Sequence, residues 1–137
     1  MSYLIDTCAL SELIKPKPSA PVVGWFESTP PESLFLSALT LGEIRKGVER
    51  LNDGRRRSRI IAWLEVELPG WFADRVLPID SGVADEWGRL MARVLRPVPA
   101  IDSLIAATAL RHRLTLVTRN TDDFTPTGVE IFDPWKP

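Results

Sequence analysis

The chain holds one histidine and one cysteine in 137 residues, and each scarcity removes a class of chemistry. A metal centre built on imidazole or thiolate needs several such ligands, and a catalytic triad needs a well-placed histidine. His112, between Arg111 and Arg113, closes a helical pattern, where the helix C-terminus favours a cation. Cys8 has no internal partner, so no disulfide forms and a reducing compartment is the simpler setting. A surplus of either charge is also missing. With 17 Lys+Arg against 18 Asp+Glu, no global basic field draws in nucleic acid, and any such binding needs a local patch. No uncharged apolar run reaches the ~18 residues of a membrane span. Asp6 and Glu12 interrupt the apolar N-terminal stretch, so neither a signal peptide nor an anchor is expected and the protein reads as soluble and cytoplasmic. At 45% hydrophobic and 26% charged residues, the composition suits one globular domain over 1–137, without repeats or linkers.

What is present alternates between short apolar runs and helical periodicities. Tyr3-Leu4-Ile5 reads as a strand feeding a helix that Asp6 or Thr7 caps, with Leu10, Leu13 and Ile14 on its apolar face. Val22 to Phe26 suggests a second short helix, and Ser33 to Ser37 a second strand. Thr40 and Glu43 stand at capping-box spacing before Ile44, Val48 and Leu51. Arg55 to Leu68 is helical, and Pro69-Gly70 is expected to end it. Arg75 to Ile79 is a third strand, with Asp80 capping a helix through Val83, Trp87, Leu90 and Leu95. Ile101 to His112 is helical, Leu114 to Thr118 a fourth strand and Gly128 to Phe132 a weaker fifth. Strands this apolar, alternating with helices, predict an α/β fold with a parallel sheet covered on both faces.

Four acidic or amide groups fall at strand ends or in first turns of helices: Asp6, Glu43, Asp102 and Asn120. Ligands of open α/β sheets bind at the carboxyl edge of the strands. Carboxylates gathered there repel one another unless a hard divalent cation lies between them. Oxygen ligands with few nitrogen or sulfur alternatives point to Mg²⁺ or Mn²⁺. Taken singly, each residue has a structural use: Asp6 as an N-cap, Glu43 in a capping box, Asp102 beside a helix dipole.

Leu4-Ile5-Asp6-Thr7-Cys8-Ala9-Leu10 and Ser37-Ala38-Leu39-Thr40-Leu41-Gly42-Glu43-Ile44 resemble the opening blocks of PIN-domain ribonucleases of the VapC toxin type. Ile101-Asp102-Ser103-Leu104-Ile105-Ala106 and Val117-Thr118-Arg119-Asn120-Thr121-Asp122-Asp123-Phe124 are similar to the third and fourth. Ile131-Phe132-Asp133-Pro134-Trp135 is similar to the tail of the subgroup that includes the FitB toxins. The blocks run in order over nearly the whole chain. The resemblance implies a five-stranded sheet ordered 3-2-1-4-5, a homodimer, and Mg²⁺- or Mn²⁺-dependent cleavage of RNA. It also implies a VapB- or FitA-like antitoxin, through which alone the protein would meet DNA. Residue by residue, it matches Asp6, Glu43 and Asp102 to the acidic metal-site positions and Asn120 to the fourth. Thr118 and Asp123 match supporting positions.

The main local basic feature is Arg55-Arg56-Arg57 with Arg59, near Arg45, Lys46 and Arg50. Lys46, Arg55, Arg56 and Arg57 are candidates for RNA backbone contact, against the plainer reading of a solvated helix face. Trp63 and Trp87 are expected in the core, and Trp25 and Trp71 at a dimer or partner surface. Two rival functions remain. A phospho-acceptor receiver domain would use Asp80 but leaves Glu43 and Asp102 idle. A non-catalytic module, acting with an antitoxin as a DNA-binding repressor, would share the whole fold.

Overall fold

A computed structural model describes residues 1–136; Pro137, the last residue of the expected domain, lies outside them. In chain order the elements are β1 (Tyr3–Ile5), α1 (Thr7–Glu12), α2 (Ala20–Ser28), β2 (Leu34–Ser37), α3 (Ala38–Glu49) and α4 (Gly54–Ala62). After a π-helical turn at Trp63–Glu67 come α5 (Leu68–Phe72), β3 (Val76–Leu77), α6 (Ser81–Arg93) and α7 (Ala100–His112). The chain then runs through β4 (Thr115–Val117), α8 (Thr121–Phe124) and β5 (Ile131–Phe132).

Five strands pair in the order β3-β2-β1-β4-β5, each pairing parallel, as the resemblance implied. Strand side chains alternate between faces, and the alternation sorts the core into two layers. Leu4 and Leu116 turn to one face, where they meet Val83 and Leu90 of α6, Ile105 and the alanines of α7, and Phe124 of α8. Ile5 and Val117, one residue on, turn to the other, against Leu10, Ile44, Trp63, Leu68 and Phe72. Ala106, Ala107 and Ala109 are fully buried, and their small size lets α7 lie close to the sheet.

Three local expectations are corrected. Thr40 does not cap α3: the cap lies three residues earlier, where Ser37 Oγ accepts from Leu39 N–H, and Thr40 is buried in the first turn. Pro69-Gly70 does not end the fourth helical stretch. The π turn passes the chain on, with Leu68 N–H bonded to Trp63 O, and Pro69 sits in the first turn of α5, where no amide proton is needed. Trp87 is not a core residue, being 37% exposed with its indole N–H donated to Ser103 Oγ at 2.9 Å. Trp63 is buried, as expected, and Trp71 is half exposed. Trp25 packs edge-on against Tyr3 and Phe26 and beside Phe132. Asp80 caps α6 by accepting from Val83 N–H. Among the described residues no helix is long and apolar enough to cross a membrane.

Candidate active site

Asp6 stands where a strand becomes a helix. Its N–H still pairs with Val117 O in the sheet, while its carbonyl already accepts from Ala9 and Leu10 of α1. The side chain therefore leaves the middle strand at the carboxyl edge, between the two neighbours that flank it. Thr118 does the same for β4: its N–H bonds to Phe132 O, and its hydroxyl donates to Asp6 Oδ2 at 2.8 Å. Both residues are buried. Thr7 N–H holds the other oxygen, Oδ1, at 2.9 Å, and the Cys8 thiol lies 3.6 Å from Oδ2. Asp6 is thus fixed from three sides.

Glu43 approaches from α3, and Thr7 Oγ1 donates to its Oε1 at 2.6 Å while also touching Thr40 Oγ1 at 3.3 Å. Asp102 enters from the first turn of α7. Its carboxyl is pushed up to about 6 by burial and by the negative charges of Asp6, Asp123 and Glu43. Burial also raises Asp6, against the pull of its hydrogen bonds to Thr118, Thr7 and Cys8, and Asp123 adds to the rise. Four carboxylates, from the β1–α1 junction, α3, α7 and α8, therefore share one field. Asn120 joins through its backbone, its N–H donating to Thr118 Oγ1 at 3.0 Å, and its exposed side chain has no hydrogen bond among the described residues.

Among the described residues no side-chain cation forms an ion pair within this field. The ion pairs among the described residues join Lys15 to Glu12, Arg45 to Glu49 and Glu65, Arg57 to Glu49, and Arg89 to Asp85, and none involves the four carboxylates. Oxygen donors with uncompensated negative charge are the chemistry that a hard divalent ion requires. Among the described residues, however, no three acidic, histidine or cysteine side chains converge closely enough to enclose an ion on their own. A divalent ion held by one or two of these carboxylates would have to complete its shell with waters or phosphate oxygens. Asp6 and Asp102 are the residues that would hold it.

Two neighbours of the site go beyond what the sequence suggests. Thr7 reads there only as an alternative cap, although a hydroxyl directly after a strand-end acid is the signal for such a bridge. Cys8 is half-buried with its thiol toward Asp6 and Thr118, and burial together with the Asp6 charge pushes that thiol up, so it stays a protonated donor rather than a nucleophile. Of the basic candidates, Arg57 is engaged by Glu49 at 3.1 Å. Arg55 and Arg56 line a separate cleft with Ile14, Pro16, Asp53 and Arg59. Lys46 alone shares a cleft with Glu43.

The description "PIN domain" matches residues 3–128. Toxin FitB of Neisseria gonorrhoeae is 37% identical over 135 residues, covering 96% of this chain and 97% of that protein. The VapC ribonuclease Y4jK of Sinorhizobium fredii is 36% identical over 137 residues, covering 98% of each. Among solved structures, FitAcB from Neisseria gonorrhoeae superposes with a TM-score of 0.93 at 36% identity, covering 98% of this chain and 99% of that one. FitAB bound to a DNA fragment follows at a TM-score of 0.91 and 35% identity, covering 97% and 95%.

Proposed function

The chain belongs to the PIN-domain family, and from that premise we propose that it is a toxin of the VapC and FitB kind, a metal-dependent endoribonuclease that cuts RNA at the Asp6–Glu43–Asp102 pocket. The observation that carries this reading is geometric: Thr118 and Thr7 pin the Asp6 carboxylate at the strand ends, and Thr7 ties Glu43 to the same spot. Among the described residues none of these carboxylates has an ion-pair partner, while burial and like charges push Asp102 in the same field up to about 6. Such repulsion is relieved by a proton at low pH and by a cation at neutral pH. When bound, Mg²⁺ or Mn²⁺ would neutralise phosphoryl charge and lower the pKa of a water. Asp6, pinned by Thr118, Thr7 and Cys8, and Asp102 would be its ligands. Glu43 has one oxygen occupied by Thr7, which leaves the other to orient and deprotonate the attacking water. Asn120 would hold an outer water or a phosphate oxygen, while Thr118, buried with its hydroxyl donated to Asp6, would keep that carboxylate in place, and Asp123 would add negative charge at the rim.

Incubating the partner-free protein with total RNA, with and without Mg²⁺ or Mn²⁺, tests the reading. Discrete cuts with 3′-hydroxyl and 5′-phosphate ends are expected only with metal, and Asp6→Ala should abolish them while leaving the circular dichroism spectrum unchanged. Cuts that persist in Asp6→Ala, or in chelator, would sink it.

Thr7 supplies a second test. Losing its hydrogen bond to the Glu43 carboxylate in Thr7→Val should lower kcat about tenfold to a hundredfold, the worth of one bond to a charged group, with KM little changed. Thr7→Ser keeps the donor and should restore the rate. Equal rates in Thr7→Val and the parent would leave Thr7 without a positioning role.

A small antitoxin is the partner proposed here, with DNA contacted only through it, in keeping with the DNA-bound FitAB structure. Support comes from an apolar groove of about 470 Å³ between α1, α2 and α5, walled by Leu13, Phe26, Trp71 and Phe72, with Glu27 and Arg75 at its margin. A cytoplasmic homodimer completes the proposal. Should free protein cut no RNA with Mn²⁺ yet assemble with antitoxin on operator DNA, the non-catalytic repressor module becomes the better reading.

A further inference from the structure

Beside the acidic pocket, α3 carries a face that the fold itself leaves unused. Glu43, Lys46, Gly47 and Arg50 follow at helical spacing and, with Leu39, Gly42 and Ile101, line a cleft of about 400 Å³. Glu43 belongs both to this cleft and to the field acting on Asp102, and Ile101 directly precedes Asp102 in α7, so the cleft continues the pocket.

Charge use along the helix is uneven. Arg45, facing elsewhere, pairs with Glu49 and Glu65, and Arg57 of α4 pairs with Glu49. Arg59 donates to Ile14 O. Lys46 and Arg50 are exposed and form no ion pair among the described residues. Gly42 and Gly47 add to the picture. A glycine inside a helix costs about 1 kcal/mol against alanine. A Cβ at either position would meet nothing within 4 Å, as at most glycines of the chain; these two differ in lining the cleft. The room they leave opens onto the cleft.

We infer that the Lys46–Arg50 face of α3 is the track that holds the RNA backbone on its way to the acidic pocket, with Gly47 leaving space for the strand between the two cations. This deepens the ribonuclease reading and rests on it. Lys46 and Arg50 lie one helical turn apart, about 6 Å along the axis, a spacing that lets each meet a different phosphate of an extended strand. Cations at the rim also answer a problem the pocket creates, since its carboxylates repel an incoming polyanion. The Arg55–Arg56 pair, which dominates the sequence, lines a cleft without any of the four carboxylates and is not part of the track.

Fluorescence anisotropy of a labelled single-stranded oligouridylate, measured at several salt concentrations on the full chain carrying Asp102→Asn to prevent cleavage, tests this. Adding Lys46→Gln with Arg50→Gln should weaken binding at least about tenfold and flatten the log–log salt slope by about 1.4, or 0.7 for each phosphate left without its cation. Arg55→Gln with Arg56→Gln should leave the slope unchanged. Gly47→Phe should weaken binding without removing a charge and without lowering the melting temperature. An unchanged slope in the Lys46/Arg50 variant overturns the track, as does failure of the Asp102→Asn parent to bind the oligonucleotide. A change of sedimenting mass in the Gly47 or Lys46/Arg50 variants also overturns it, by assigning the face to contact between copies. Cleavage of total RNA by the unaltered protein stands or falls apart from all three.

Discussion

Asp102→Asn is expected to lose metal-dependent cleavage by at least about a thousandfold while making the metal-free protein more stable at neutral pH. The two effects share one cause. The side chain keeps its shape but drops the charge that Asp6, Asp123 and Glu43 oppose. In the folded chain the Asp102 carboxyl sits at about 6 against 3.8 for an ordinary aspartate, so the native state holds its proton more tightly than the unfolded one. Stability must then fall as pH rises from about 4 to about 6, and stay low above that. Asparagine removes this fall. Because the carboxyl is still partly open to water, screening holds the gain at pH 7 to roughly 1 kcal/mol, or about 3 °C in melting temperature. Thermal melts of both proteins at pH 4 and pH 7 should show the gap only at the higher pH. Mn²⁺ should narrow it by stabilising the parent more than the variant. A variant less stable than the parent at pH 7 would remove the electrostatic basis of the proposed site.

The second large effect is structural. Phe124 is fully buried at the end of α8, four residues after Asn120, and packs into the layer formed by α6, α7 and β4. It anchors the segment that carries Asn120 and Asp123 to the site. Phe124→Ala should cost about 3–5 kcal/mol, since a phenyl-sized cavity in this layer has little room to collapse. The melting temperature should drop by about 10 °C or more. Phe124→Leu, which refills most of the volume, should recover more than half of that. A drop of only a degree or two in Phe124→Ala would mean the α8 segment is not held by this side chain.

Much of the fold can be read from residue pattern, because β1, β4 and α7 are apolar in ways their tertiary places reinforce. Strand order comes from the resemblance of the four blocks; periodicity alone cannot rank parallel strands. Boundaries fail where local and tertiary signals compete. Thr40 and Glu43 have capping-box spacing, yet Ser37 takes the cap and frees Glu43 for Thr7. Pro69 looks like a stop, but the π turn before it changes which amide is needed. At the site, the acidic residues are visible as strand-end punctuation. The Thr7 bridge, the position of the Cys8 thiol and the pairing of Arg57 with Glu49, which Lys46 lacks among the described residues, depend on side-chain placement, which no one-dimensional spacing encodes.

Sheet wiring sets the order in which the protein can become active during its own synthesis. β1 emerges from the ribosome first but pairs on one side with β4, whose last residue, Val117, is made more than a hundred residues later. Until then Asp6 lacks the Thr118 hydroxyl, and Asp102 lacks a finished α7 to carry it. The acidic pocket is therefore assembled only when the last third of the chain has been made and the central strand is closed on both flanks.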